Sequence, residues 1–324
     1  MDSFSIGGAW SRGFRFLGGR FPAHAAFLIA GALLAVGVEY AILGVRLAES
    51  GRAPVPWGSR LFDYPDALLV MGLGYLFQIG SYFACWRLGF DERRSVPGAL
   101  VFGPSAGLIA VFCLFLAYVL ASYLWLPLLA PDTAFLAILV FLLPLIVASA
   151  LFMIAAIAFV AGAIIVFLVF AMVYGAAMGQ VSAAATLVGG SGAVTVLLLV
   201  LAGFTFWLAG RFSCVTSVMA DRQSLNLFAA IAESWRLTLD EQWAITRYLA
   251  LVGGIPALLL LGAILVIGTN PGATMPGVAM VFTGTTGEIV GLVIAIGFGF
   301  LAVAVPAGIY RQLVGEEVST EVFD

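Results

Sequence analysis

The chain has no lysine and a single histidine, His24. One imidazole excludes a histidine-rich metal site and the H-E-x-x-H zinc motif, both of which need several. Charge of either sign is scarce. Only 10% of the 324 residues are charged, against about 25% in an ordinary soluble domain. With 63% hydrophobic residues, such a chain lacks the polar groups needed to cover a water-facing surface. Its solvent is therefore expected to be lipid. The net charge of −3 offers nucleic acid no basic footprint. Three scattered cysteines, Cys85, Cys113 and Cys214, are odd in number and lack metal-ligand spacing. They read as small apolar fillers.

The longest absence of charge runs from Thr133 to Gly210, 78 residues. A single straight helix of that length would be about 117 Å long, far beyond a hydrocarbon layer of about 30 Å. Three crossings need about 60 residues. They fit 134–152, 155–178 and 193–211, with Gly189-Gly190-Ser191-Gly192 as the best turn. In the alternative, Pro144 kinks one long tilted helix. The other long apolar runs are 21–45, 67–88, 104–129, 244–268 and 289–309. The first is longer than a signal core and has no clear cleavage site, so it reads as an uncleaved span. Pro131-Asp132 reads as a turn, and Thr269 to Gly287 as a Gly/Thr/Pro-rich loop. The expected fold class is an all-α integral membrane protein, a bundle of about eight transmembrane helices, with six as the alternative. Residues 1–315 form one domain and 316–324 a short acidic tail.

All 14 basic residues are arginine. With the N-terminus inside and an odd number of crossings in the uncharged tract, 11 fall inside. Only Arg46, Arg52 and Arg60 fall outside. This bias predicts a multi-pass protein of the bacterial inner membrane with both termini cytoplasmic. Two segments fit amphipathic helices lying in the interface. One is 3–20, with Phe4, Ile6, Trp10, Phe14 and Leu17 among Arg12, Arg15 and Arg20. The other is 223–238, where Leu225, Phe228, Ala229, Ala232 and Trp235 share one face.

The second of these carries a resemblance. The stretch Arg211-Phe212-Ser213-Cys214-Val215-Thr216-Ser217-Val218-Met219-Ala220-Asp221 ends a span and enters an acidic turn. It is followed by Leu227-Phe228-Ala229-Ala230-Ile231-Ala232-Glu233-Ser234-Trp235-Arg236-Leu237-Thr238, which contains A-x-x-x-S-W-x-L-T. This resembles the membrane domain associated with some glycerophosphodiester phosphodiesterases and the YciC-like bacterial inner-membrane proteins. The ending Gly308-Ile309-Tyr310-Arg311-Gln312-Leu313 is similar to that group's C-terminal span. The clearer part covers about residues 205–315. Two departures are the lack of a proline near Ser217–Val218 and an uncharged tract longer than six spans need. The resemblance implies fold and location. It does not imply phosphodiesterase activity, which belongs to a separate soluble barrel needing several His, Glu and Asp residues around a metal.

Candidate intramembrane polar residues are Glu39, Gln78 and Glu288. Carboxylates at membrane depth are costly and often functional. Glu39 fits the outer boundary of the first span, a buried polar contact, or a proton or ion site. Glu288, at the start of the last span, divides the same way. Gln78, midway along its span, is expected to bond across to a neighbouring helix. Candidate interfacial or lipid-headgroup residues are Arg93, Arg94, Arg211, Trp235 and Arg236. His24 reads as an interfacial residue. Gly103-x-x-x-Gly107 and Gly175-x-x-x-Gly179 allow close helix approach. The G-x-S of Gly189–Ser191 resembles a rhomboid-type nucleophile, but no histidine follows Ser191. No catalytic set, cofactor site or metal site emerges. The expected function is a non-enzymatic, structural, lipid-associated or accessory-subunit role. Expected partners are membrane lipids, another membrane complex or a second copy. A small-solute or lipid transporter is the alternative.

Overall fold

The computed structural model describes residues 4–44, 65–91, 95–125, 203–204, 206–252 and 284–315. Regular structure among them is entirely helical. The helices are α1 (Ile6–Gly18), α2 (Phe21–Leu43), α3 (Pro65–Phe90), α4 (Val96–Trp125), α5 (Val215–Asp221), α6 (Leu227–Leu237) and α7 (Gly284–Val314). Further helical residues are 206–212 and 242–252. Among the described residues, four segments are long and apolar enough to cross a bilayer: α2, α3, Val96–Ala117 of α4 and Ile296–Val314 of α7. The expected all-helical membrane architecture is present at that level. The tract 134–202, most of the span at 244–268, the tail 316–324, Arg93 and Arg94 lie outside the described residues.

Local chemistry sets the helix ends. Ser5 caps α1, its hydroxyl accepting from the Gly8 amide at 3.1 Å. Pro22 opens α2, and Gly44 closes it with a left-handed φ of 73°. The third crossing begins eight residues earlier than the sequence suggests. Ser95 starts it by accepting from the Gly98 amide at 3.1 Å, and its own N–H donates to the Asp91 carboxylate at 3.2 Å. Pro104, which had marked the start, lies inside the helix. Membrane helices tolerate such a proline because neighbours re-satisfy the freed backbone groups. The final helix likewise begins at Gly284, absorbing the end of the expected loop.

α3 is the centre of the bundle, with α2 and α4 against it. Small residues make those crossings. A Cβ on Gly31 would lie 2.6 Å from the Ser81 side chain, and one on Gly103 2.6 Å from the Gly80 carbonyl. Gly107 sits over the Gly80 backbone as well, so Gly103-x-x-x-Gly107 is the α3–α4 contact. α1 lies against the last turns of α7. A Cβ on Gly13 would meet the Ala304 carbonyl at 2.5 Å, and one on Gly308 the Ala9 carbonyl at 2.2 Å. The Trp86 indole N–H of α3 donates to the Val303 carbonyl of α7 at 2.9 Å. These contacts bring α1, the C-terminal ends of α3 and α7, and α5 to one end of the bundle.

Candidate interfacial site

The end so formed carries the described arginines. Arg12 and Arg15 are on α1, and Arg20 precedes α2. Arg87 is almost fully buried. Its guanidinium donates to the Ala220 carbonyl at 3.1 Å and pairs with Asp91 at 3.3 Å. With its amide oxygen turned inward, Gln223 accepts from the same group. Gln223 holds φ at 53°, which ends α5 and aims it there. Tyr310 of α7 donates to Asp221 at 2.7 Å, and Arg222 pairs with Glu233. Arg311 donates to the Gly89 carbonyl and lies over the rings of Phe16 and Phe90. Charges at this end are thus largely used to tie helix ends together.

α6 follows from the turn. Asn226 caps it, its side-chain oxygen accepting from Ala229 N–H at 3.1 Å. The helix is shorter than the segment 223–238 because Gln223 and Asn226 hold a turn. Ala230, Ser234 and Thr238, four residues apart, form its buried inner stripe. The Ser234 hydroxyl donates to the Arg211 carbonyl at 2.7 Å and accepts from Cys214 N–H at 3.2 Å. One hydroxyl therefore satisfies the end of helix 206–212 and the start of α5. Thr238 donates back to the Ser234 carbonyl at 2.9 Å. Each named residue of the A-x-x-x-S-W-x-L-T spacing in Ala230–Thr238 has a contact reason, Leu237 being partly buried against the core. Burial and a weak Ser213 contact surround Cys214, and burial pushes its thiol from 9.0 to about 12.

The outer face of α6 and its flanks is apolar and exposed. Leu225, Phe228, Trp235, Leu239 and Trp243 all face outward, Phe228 at 82% and Trp243 at 69%. Ile6, Trp10 and Phe14 do the same on α1. In water this would be a liability; at a headgroup boundary it is an anchor.

Beneath that face sits Arg211. Its guanidinium lies 4.9 Å from the Trp235 ring centroid and 5.8 Å from that of Trp207. The two indoles meet edge to face at 5.7 Å. Nε and Nη1 of Arg211 are buried and have no hydrogen-bond partner among the described residues. Cation–π contact contributes about 2 kcal/mol when desolvated. Each buried unsatisfied donor costs about 1–3 kcal/mol, more when charged. The rings alone do not offset two such donors.

The remaining candidates are dispersed. Glu39 is partly buried and lies five residues before Gly44, toward the opposite end of α2 from the arginines. Among the described residues the amide N–H of Gln78 donates within its own helix rather than to a neighbour, to Tyr82, one turn along α3, at 3.0 Å. Glu288 lies in the first turns of α7. Arg236 is exposed on the last turn of α6.

Sequence reading missed two residues. His24 is fully buried within the protein, a packing role that its position in the sequence did not suggest. Its Nδ1 lies 3.2 Å from the Leu17 carbonyl and its Nε2 3.2 Å from the Cys85 carbonyl, joining α1, α2 and α3. Trp207 is the second ring over Arg211. Its i, i+4 spacing to Arg211 was a usable signal. Among the described residues, no three His, Cys, Asp or Glu side chains converge as metal ligands.

The chain matches no family model, no curated protein and no solved structure.

Proposed function

We propose that this is a non-enzymatic protein of the bacterial inner membrane that holds lipid or docks on another membrane complex as an accessory subunit. The observation that carries this reading is the outward apolar face of α1 and α6 at the end where the described arginines gather. Arginine at one end favours the cytoplasmic side for that end, which supports reading both termini as inside. Eight crossings then fit the chain, three of them in the uncharged tract. The resemblance of Arg211–Thr238 to the membrane domain associated with glycerophosphodiester phosphodiesterases supports a lipid setting without a catalytic set. Purification in mild detergent, followed by mass spectrometry of lipids and proteins, tests the role. Retained phospholipid, a second copy or a partner subunit is the expected result. A monodisperse monomer carrying none of these contradicts it.

A further inference from the structure

We infer that Arg211, held between Trp207 and Trp235, is a binding site for the phosphate group of an anionic phospholipid. The inference rests on the lipid-associated reading above but makes a narrower claim.

Three observations converge on it. The guanidinium is fixed by stacking, 4.9 Å from one indole and 5.8 Å from the other. Nε and Nη1 are buried donors without a partner among the described residues. The outer face of the same segment is lined by Phe228, Leu239 and Trp243, all exposed, as a lipid headgroup boundary requires. A guanidinium fork matches two oxygens of one phosphate. An oxyanion fits these donors, and at a membrane boundary the abundant oxyanion is the phosphodiester.

The site is not a diffuse basic patch. Arg222 is paired with Glu233 and Arg87 with Asp91. Arg211 alone of these keeps donors open, so binding should be saturable and centred on it. The Trp235 ring lies over the guanidinium and is 36% exposed, so its environment changes when the site fills. Indole fluorescence then reports occupancy.

The test uses the full chain in neutral detergent. Phosphatidylglycerol in mixed micelles is titrated against tryptophan fluorescence, with phosphatidylglycerol adducts counted by native mass spectrometry. The wild type should show one saturable transition. Arg211→Gln should weaken it at least tenfold, and Arg247→Gln, at an exposed arginine outside the site, should leave it within twofold. Should Arg211→Gln fail to fold, Arg211→Lys keeps the charge but loses the fork and the flat stack, and should weaken binding several-fold. An unchanged titration in the folded Arg211 variants overturns the site. Inorganic phosphate that displaces the lipid at millimolar concentration overturns the lipid assignment in favour of free phosphate. Lipid that still co-purifies with a non-binding Arg211→Gln protein leaves the broader lipid-associated reading standing, so the two claims fail separately.

Discussion

Trp86 and Val303 are 217 positions apart in sequence, yet the indole N–H of one donates to the carbonyl of the other at 2.9 Å. The bond joins the buried end of α3 to α7 just before Pro306. A tryptophan in hydrocarbon needs such a partner, because no water is available to its N–H. Trp86→Phe keeps most of the ring and removes the donor. A loss of about 1 kcal/mol is expected, read as a lowered melting temperature in detergent. An unchanged melt would mean that the bond is idle.

Gly13 and Gly308 hold α1 on α7. Any side chain at either position enters the opposing backbone. Gly13→Leu should cost about 1–3 kcal/mol through overpacking and release α1. Limited trypsin digestion checks this: cleavage at Arg12 and Arg15 should accelerate. Equal protection in the variant would show that α1 is held some other way.

Glycines that touch no other described residue give the contrast. Gly103 faces the Gly80 carbonyl, whereas Gly37 and Gly72 have open space among the described residues. Gly103→Ile should destabilise strongly. Gly37→Ala and Gly72→Ala should be neutral or gain up to about 1 kcal/mol from helix propensity. Thermal melts of the three variants decide it.

Much of this fold was legible because lipid imposes a simple rule. A crossing helix must be apolar for about 20 residues, and 21–43 and 65–90 satisfy that rule openly. Ends were harder. Pro104 looked like a start signal, but Ser95 and Asp91 had already begun the helix. The segment 223–238 was recognisable as an amphipathic helix from its outer face. Its inner stripe was not, since Ser234 contacts residues 20 and more positions away. The contacts of His24 were hidden for the same reason: its partner Cys85 is 61 residues distant. Spacing reports which residues share a helix face, not what lies against it.

His24 sits with both ring nitrogens against carbonyl oxygens, from Leu17 and Cys85. His24→Leu removes both contacts at similar side-chain volume. A loss of about 1–2 kcal/mol is expected, and loosening should appear first in α1. Hydrogen exchange of residues 6–18 is the readout. Protection equal to wild type would show that the imidazole links nothing.

The Cys214 thiol is pushed up to about 12 by burial. Folding therefore keeps it protonated, while the unfolded chain ionises near 9. The stability it contributes is whole below pH 9 and is lost as the pH rises from 9 toward 12. Because the thiolate is the nucleophile, Cys214 should resist alkylation at pH 8 in the folded protein. Rapid labelling at that pH, with the fold intact by circular dichroism, would contradict the burial.

The central claim is a bundle that crosses the membrane with its arginine end inside. Single cysteines at Ser11, Ser50 and Asp240, in a chain lacking the three native cysteines, test it with an impermeant maleimide. Right-side-out and inverted vesicles are compared. The account predicts that Ser11→Cys and Asp240→Cys label only from the cytoplasmic face and Ser50→Cys only from the other. Labelling of positions 11 and 240 from opposite faces, or of all three from one face, would contradict it.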